Sequence, residues 1–319
     1  MSWRFRIFIG IIAFFAAIVI FTICMCSVSA RTITVDYHGG ADHTSIQDAI
    51  NVSEDGDTIR VFKGTYYAPV IVNRSVSLIG NGSGITNIYA GEKGDVVRII
   101  ADGVTVSGFL ITDGTGNKGN DGIRIEANHT QLMSNNCSGN YNGISIIGSI
   151  NSSITDSICS FNNNVGMYSQ DCLDLTVENN SCMGNYIGIR LWGSNLTSIS
   201  NNTCKENKGS GISLTRSENC TIERNDCSVN DLHGLSLYYS PGAFISLNIV
   251  SNNRFGGIDL FSSSSCIIEH TSMVGNGITI DGSFKDWTSH IIDTTNTVNG
   301  KPVRYYKNGI CLGSYTLAN

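Results

Sequence analysis

The chain has 319 residues, enough for one large domain or two ordinary ones, with 35 Gly, 33 Asn, only 3 Pro and 14% charged residues. That balance excludes a helical bundle built on Ala, Leu, Glu and Lys. With 41% hydrophobic residues and a net charge of −6, it also excludes a disordered chain and a basic nucleic-acid binder, and leaves a turn-rich β protein.

Arg4 and Arg6 precede an apolar run from Ile7 to Ile23, and Val28 and Ala30 stand where a small-residue cleavage site would need them. Residues 1–30 therefore read as a secretory signal peptide cut after Ala30. The apolar run also approaches the length of a membrane span, so a retained N-terminal membrane anchor is the alternative. Either way the rest of the chain is extracytoplasmic, secreted or anchored at the cell surface. Ten N-x-S/T sequons, at Asn51, Asn73, Asn81, Asn128, Asn136, Asn151, Asn179, Asn195, Asn201 and Asn219, fit an exported protein. Without Cys24 and Cys26, nine of the 11 cysteines remain, an odd number that cannot pair completely.

Residues 31–112 read as an N-terminal cap and first coils. Thr44–Asn51 is a short amphipathic helix with Thr44 or Ser45 as N-cap, suited to covering an open sheet edge. Asp57–Val61, Val70–Val72 and Ser75–Ile79 are strands, and Asn81-Gly-Ser-Gly84 is a turn.

Residues 113–285 carry regular repeats. A Gly–apolar–x–apolar unit begins at Gly122, Gly143, Gly166, Gly188, Gly211, Gly234, Gly257 and Gly277, with steps of 20 to 23 residues. Each period holds a second apolar position at Ile154, Val177, Ile199, Ile222, Ile245 and Ile268. A cysteine row follows at Cys137, Cys159, Cys182, Cys204 and Cys227, continued by Val250 and Met273. An asparagine row closes the period at Asn140, Asn162, Asn185, Asn207, Asn230, Asn253 and Asn276.

Such short alternating runs are strands, and one period cannot bury its own apolar residues. Stacking in parallel register can, with strands about 4.8 Å apart. The crossover preference sets the hand. The fold class is all-β: a right-handed parallel β-helix of about 22–23 residues per coil, with a short N-terminal capping helix. A leucine-rich-repeat horseshoe would need regular Leu and a helical back, which are missing. The cysteines read as an inward, reduced, structural column, because stacked Cβ atoms about 4.8 Å apart are too far for a disulfide. Binding of a soft metal such as Cu(I) by the thiols is the alternative. The asparagines read as a turn ladder.

At this point Ser45-Ile-Gln-Asp-Ala-Ile50, Gly56-Asp-Thr-Ile-Arg-Val61, Gly64-Thr-Tyr66 and Ser75-Val-Ser-Leu-Ile-Gly80 resemble the opening coils of pectin-lyase-like β-helix proteins. The Asn–Asn–x–Cys and Asn–x–x–Gly–Ile units resemble the NosD-like group, the carbohydrate-binding and sugar-hydrolysis domains of the kind found in archaeal cell-surface proteins. Asn296–Tyr306 is similar to a segment common in that group, so residues 286–319 form a NosD-like C-terminal segment. In that group the segment leads into further coils; here the expectation is a truncated product or an end left open for a partner. The resemblance spans about residues 32–308 and implies fold more strongly than activity.

No catalytic residue is assigned. The carboxylates Glu178, Glu223 and Glu269 fall on alternate coils, too far apart to share an ion, and read as surface charges. Asp231 and His233 are close, but no further carboxylate joins them on a matching row, so His233 reads as a turn histidine. The outward row with Tyr168, Arg190, Trp192, Tyr238 and Phe261 is the candidate carbohydrate-binding site, because exposed rings along a ladder can stack on successive sugars.

The expected function is an exported cell-surface β-helix, non-catalytic, that binds carbohydrate or mediates envelope contacts. One alternative is a polysaccharide lyase or hydrolase. Another, implied by the NosD resemblance, is a periplasmic copper-supply protein. The expected partner is a surface glycan or an envelope protein, with no nucleic acid, no cofactor, no metal, and membrane contact only through the N-terminal segment.

Overall fold

The structure, a computed structural model, describes residues 30–67, 69–91, 94–112 and 119–307. The chain divides into a unit Met1–Arg31 and a unit Thr32–Asn319. The first lies almost wholly outside the described residues, and the signal-peptide or anchor assignment to residues 1–30 falls there. Cys311 and residues 308–319 also lie outside them. Among the described residues no helix is long and apolar enough to cross a membrane.

From Thr32 the chain winds as a right-handed parallel β-helix. A first sheet of 12 strands runs from Thr32–Val35 to Ile291–Ile292. A second sheet of 10 strands runs from Val70–Val72 to Ile278–Asp281. The third face is wide only at its ends. It begins with Gly64–Tyr66, Thr86–Tyr89 and Leu110–Thr112, and ends with Ile249–Ser251, Ser272–Val274, Thr297–Val298 and Lys301–Pro302. Between them it narrows to single bridging residues at Asn136, Ile158, Ser181, Thr203 and Asp226. Every strand pairing is parallel except the last, Thr297–Val298 with Lys301–Pro302.

The repeat unit explains this winding. Ile144, Met167, Ile189, Ile212, Leu235 and Ile258 pair coil to coil in the second sheet, and all are buried. Ile154, Val177, Ile199, Ile222, Ile245 and Ile268 do the same in the first sheet. Each such side chain adds about 1.5–3 kcal/mol when fully buried. The repeat glycines answer to space: a Cβ on Gly143 would stand 2.6 Å from the Gly166 oxygen, 2.7 Å from the Cys137 oxygen and 2.9 Å from Asn162 Nδ2. Sharp corners use the left-handed region, four per coil. One coil turns at Asp171, Asp174, Asn179 and Gly184, and the next at Gly193, Leu196, Asn201 and Glu206. Gly, Asn and Asp tolerate that region best, which links the composition to the corners.

Three polar ladders run inside the corners. In the first, the backbone N–H of Asn162, Asn185, Asn207 and Asn230 donates to the Oδ1 of Asn185, Asn207, Asn230 and Asn253 at 2.8–3.0 Å. The side-chain amides donate back, Asn185 Nδ2 to the Cys159 oxygen at 3.0 Å and Asn207 Nδ2 to the Cys182 oxygen at 3.2 Å. Asn140 begins the row, and Asn276, half-buried, ends it. A second asparagine ladder, which the periodicity reading did not single out, joins Asn180, Asn202, Asn225 and Asn248 at 2.9 Å per step. A third joins Ser194, Ser217, Ser240 and Ser263.

Cys137, Cys159, Cys182, Cys204 and Cys227 are fully buried and free, as Val250 and Met273 are fully buried. Burial, together with the neighbouring thiols, holds Cys159, Cys182 and Cys204 well above the ordinary thiol range. Cys172, Cys220 and Cys266 are also buried, at the bend between the second and first sheets, and donate to backbone oxygens such as those of Ile146 and Ser194.

Helix α1, Ile46–Val52, starts from Ser45, whose hydroxyl accepts from the Asp48 N–H at 3.3 Å. It buries Ile46, Ala49 and Ile50 over the first coil. Gln47 completes the sheet edge: its Nε2 donates to the Ile71 oxygen at 3.2 Å, and its Oε1 accepts from the Ile71 N–H at 2.8 Å. The side chain thus replaces a missing neighbour of the terminal strand Val70–Val72. A second helix, α2, Phe284–Thr288, spans the point assigned as the end of the regular repeats.

Asn207→Ala removes the acceptor of the Asn185 N–H and the donor to the Cys182 oxygen, both buried. It should lower stability by about 1–3 kcal/mol. Denaturant unfolding checks this; an unchanged midpoint would mean that water satisfies the turn.

Candidate carbohydrate-binding face

The outer face of the second sheet presents two rows. Arg98, Arg124, Ser145, Tyr168, Arg190, Ser213, Ser236 and Asp259 pair in succession along one. Gln170, Trp192, Thr215, Tyr238 and Phe261 pair along the other. Strand alternation puts both rows outward, opposite the buried aliphatic columns.

The five candidate residues fall into two groups on this face. Tyr168, Arg190 and Trp192 form one. Arg190 pairs across from Tyr168, and its guanidinium carbon lies 5.3 Å from the Trp192 ring centroid. Trp192 is 38% exposed. Among the described residues Arg190 forms no ion pair, and its Nε is buried without a partner. The Tyr168 hydroxyl donates to Gln170 Oε1 at 2.9 Å, and burial raises its pKa while Arg190 pulls it down.

Tyr238 and Phe261 form the other group, one coil beyond Thr215. Their rings stack on each other at 4.5 Å and 12°, and Tyr239 packs edge-on against both. The expectation of separate platforms along the row changes here. Each of these rings covers one face of the other, so the pair forms one stacked unit.

Two charged clusters flank these groups. Toward the N-terminal end, Glu126 accepts from Arg98 at 2.5 Å and from Arg124 Nε at 2.8 Å. Arg124 also stands 3.9 Å from both Asp95 and Asp121. Burial raises Asp95 and Asp121 above the usual carboxylate range, against the pull of Arg124, while the two guanidiniums hold Glu126 down. Asp121 Oδ1 accepts from Asn142 Nδ2 at 2.8 Å. The sequence signal was a repeated Asp-x-x-Arg, at Asp95–Arg98 and Asp121–Arg124. Its first copy lies one coil before the regular repeats, and in the second Asp121 precedes the repeat glycine Gly122, so rows counted forward from the glycines passed both aspartates by.

At the other end, the turn expected at His233 is corrected: the residue opens the strand His233–Tyr238. Burial raises Asp259, the His233 charge lowers it, and Asp281 raises it, so these three groups share one field. His233 pairs with Gly256, and Ser236 with Asp259, so Asp259 stands three residues along the neighbouring strand from the position opposite the histidine. The histidine precedes the repeat glycine, outside the two rows taken from the sequence. Its Nδ1 is buried without a partner among the described residues. On the first sheet, Glu178 and Glu223 fall on alternate coils with Ser200 between them.

Asp121→Asn should stabilise the protein at neutral pH. A carboxyl whose pKa is raised on folding binds more protons folded than unfolded, so its stability contribution falls as pH rises through that window. The gain from Asp121→Asn should therefore shrink as pH falls toward the ordinary value of 3.8. Thermal melts of both proteins across pH check this; a gain independent of pH would contradict it.

The fold is shared with solved structures of low identity. The Dettilon tailspike protein (gp208) superposes with a TM-score of 0.63 at 14% identity, over 81% of this chain and 63% of its own. DFA-IIIase from Arthrobacter chlorophenolicus A6 gives 0.62 at 13% identity, over 88% of this chain and 86% of its own. The mannuronan C-5 epimerase AlgE6 A-module from Azotobacter vinelandii gives 0.56 at 16%, over 79% and 87%. A cell surface glycoprotein of Methanothermus fervidus is 40% identical over 73 residues, 22% of this chain and only 12% of that protein. The model for a right handed beta helix region matches residues 187–314, and the model described as periplasmic copper-binding protein (NosD) matches residues 50–231. That second match covers more than half of the chain, which belongs to the NosD family.

Proposed function

We propose that this chain is an extracytoplasmic, cell-surface β-helix protein that binds acidic carbohydrate along the outer face of its second sheet, without turnover. The observation that carries the reading is Arg190, a cation with no ion-pair partner among the described residues, set over the exposed Trp192 ring and beside Tyr168. An indole face takes the apolar side of a sugar, and the guanidinium takes a carboxylate. The family description and the cell-surface relative support the compartment. The partner is then a surface glycan, with an envelope protein carrying such a glycan as its context.

A polysaccharide hydrolase or lyase is the second reading, favoured by the raised carboxyls of Asp95 and Asp121 at one end and Asp259 with His233 at the other. Against it, Arg124 and Asp259 lie six coil steps apart, about 29 Å, so the two clusters cannot act on one bond. The N-terminal cluster is also closed on itself through the Glu126 ion pairs.

Copper, named in the family description, does not fit the groups present. Cu(I) takes thiolates, and the cysteines among the described residues are buried, with Cys159, Cys182 and Cys204 held well above the ordinary thiol range. Among the described residues no group of three His, Cys, Asp or Glu side chains is arranged to hold a metal ion.

Calorimetric titration with oligogalacturonate tests the reading. Trp192→Ala should weaken binding about fivefold, near 1 kcal/mol, and added salt should weaken the wild type through Arg190. Equal binding by both proteins would remove the site, and new chain ends or unsaturated sugars would promote the enzyme reading.

A further inference from the structure

The third face has a feature unrelated to the second-sheet rows. Its first three strands are wide enough to make a shelf, whereas the coils after them keep a single bridging residue there. Thr65 pairs with Asn87 and Asn87 with Leu110, while Tyr66, Ile88 and Ile111 pair inward and are buried. Tyr89 pairs with Thr112, and Tyr67 follows Tyr66 at the matching outward position.

These six residues, Thr65, Tyr67, Asn87, Tyr89, Leu110 and Thr112, line a cavity of about 300 Å³. A second cavity of about 230 Å³ shares Thr65 and Tyr67 and extends to Tyr37 and Gln47. Among the described residues neither is lined by a charged side chain.

The chemistry of the shelf is aromatic and uncharged. Tyr67 is 76% exposed and meets the Tyr89 ring edge-on at 5.9 Å. Asn87 Nδ2 donates to Thr65 Oγ1 at 3.3 Å, and Asn87 Oδ1 is buried with no donor among the described residues. An unpaired buried acceptor is costly, and a hydroxyl-bearing ligand that reaches it can satisfy it. Among the described lining residues a carboxylate or sulfate would find no cation to receive it.

We propose that this shelf binds a neutral sugar unit, stacked on Tyr67 and hydrogen-bonded by Asn87 and Thr65. The site is independent of the acidic-glycan reading of the second sheet. The combined space suits one or two pyranose rings, at the small end of ligand pockets.

Titration of the full chain with mannotriose, galactotriose and maltotriose, beside oligogalacturonate, separates the two sites. The wild type should bind at least one neutral trisaccharide, Tyr67→Ala should weaken that binding at least tenfold, and Trp192→Ala should leave it unchanged. Tyr67→Ala should in turn leave oligogalacturonate binding unchanged, so failure of either reading is seen separately. Chemical-shift mapping on the wild type gives a readout free of any folding defect: shifts at Asn87 and Tyr89 support the site, and shifts confined elsewhere overturn it. No binding of any neutral trisaccharide, or equal binding by Tyr67→Ala, also overturns it.

Discussion

The fold depends on a side-chain amide that ties each coil to the one before it. A parallel β-helix has corners whose backbone groups face neither a strand neighbour nor, inside the turn, water. Asn185 shows the solution: its Oδ1 accepts from the Asn162 N–H at 2.8 Å, and its Nδ2 donates to the Cys159 oxygen at 3.0 Å. The same amide appears at the next corner with Asn202, and a hydroxyl does the work at the third with Ser217. Because each residue needs its counterpart one coil away, a slip in register orphans several buried groups at once. Gly122, Gly143, Gly166, Gly188 and Gly211 follow from the same constraint, since the ladder amide and the next coil's carbonyl occupy the space of a Cβ there.

A rigid ladder turns an alternating strand into a ruler. Outward side chains repeat at the coil spacing, so a short sequence pattern becomes a long surface of fixed geometry. The second sheet uses this surface for charge and rings, in an order that matters. Self-neutralised Arg–carboxylate pairs stand at one end, a guanidinium without an ion pair among the described residues lies over an indole in the middle, and Asp259 and stacked rings stand at the other. The interior is reserved for packing, including thiols such as Cys182 and Cys204 that neighbouring thiols and burial keep from ionising.

Much of this was legible in the sequence because the repeat is a one-dimensional record of the structure. The glycine steps, the aliphatic positions, and the cysteine and asparagine rows each map onto one column. Where the period loosens, the record fails. The Asp95 and Arg98 pair and the Tyr67–Tyr89 shelf sit in early coils that lack the repeat glycine, so no row led to them. Asn180, Asn202 and Asn225 stood in visible Asn-containing units, but periodicity cannot say that a second corner buries its asparagine. The mutual stacking of Tyr238 and Phe261 depends on side-chain rotamers, which a row of letters does not contain.

The ladder is the claim on which the rest stands, and hydrogen exchange of its own amides tests it most directly. The N–H groups of Asn162, Asn185, Asn207 and Asn230 donate to buried side-chain oxygens. They should therefore exchange only through opening as costly as that of the paired strands. Exchange of these four amides at the rate of an unfolded chain would contradict the ladder, and with it the fixed register of the outer rows.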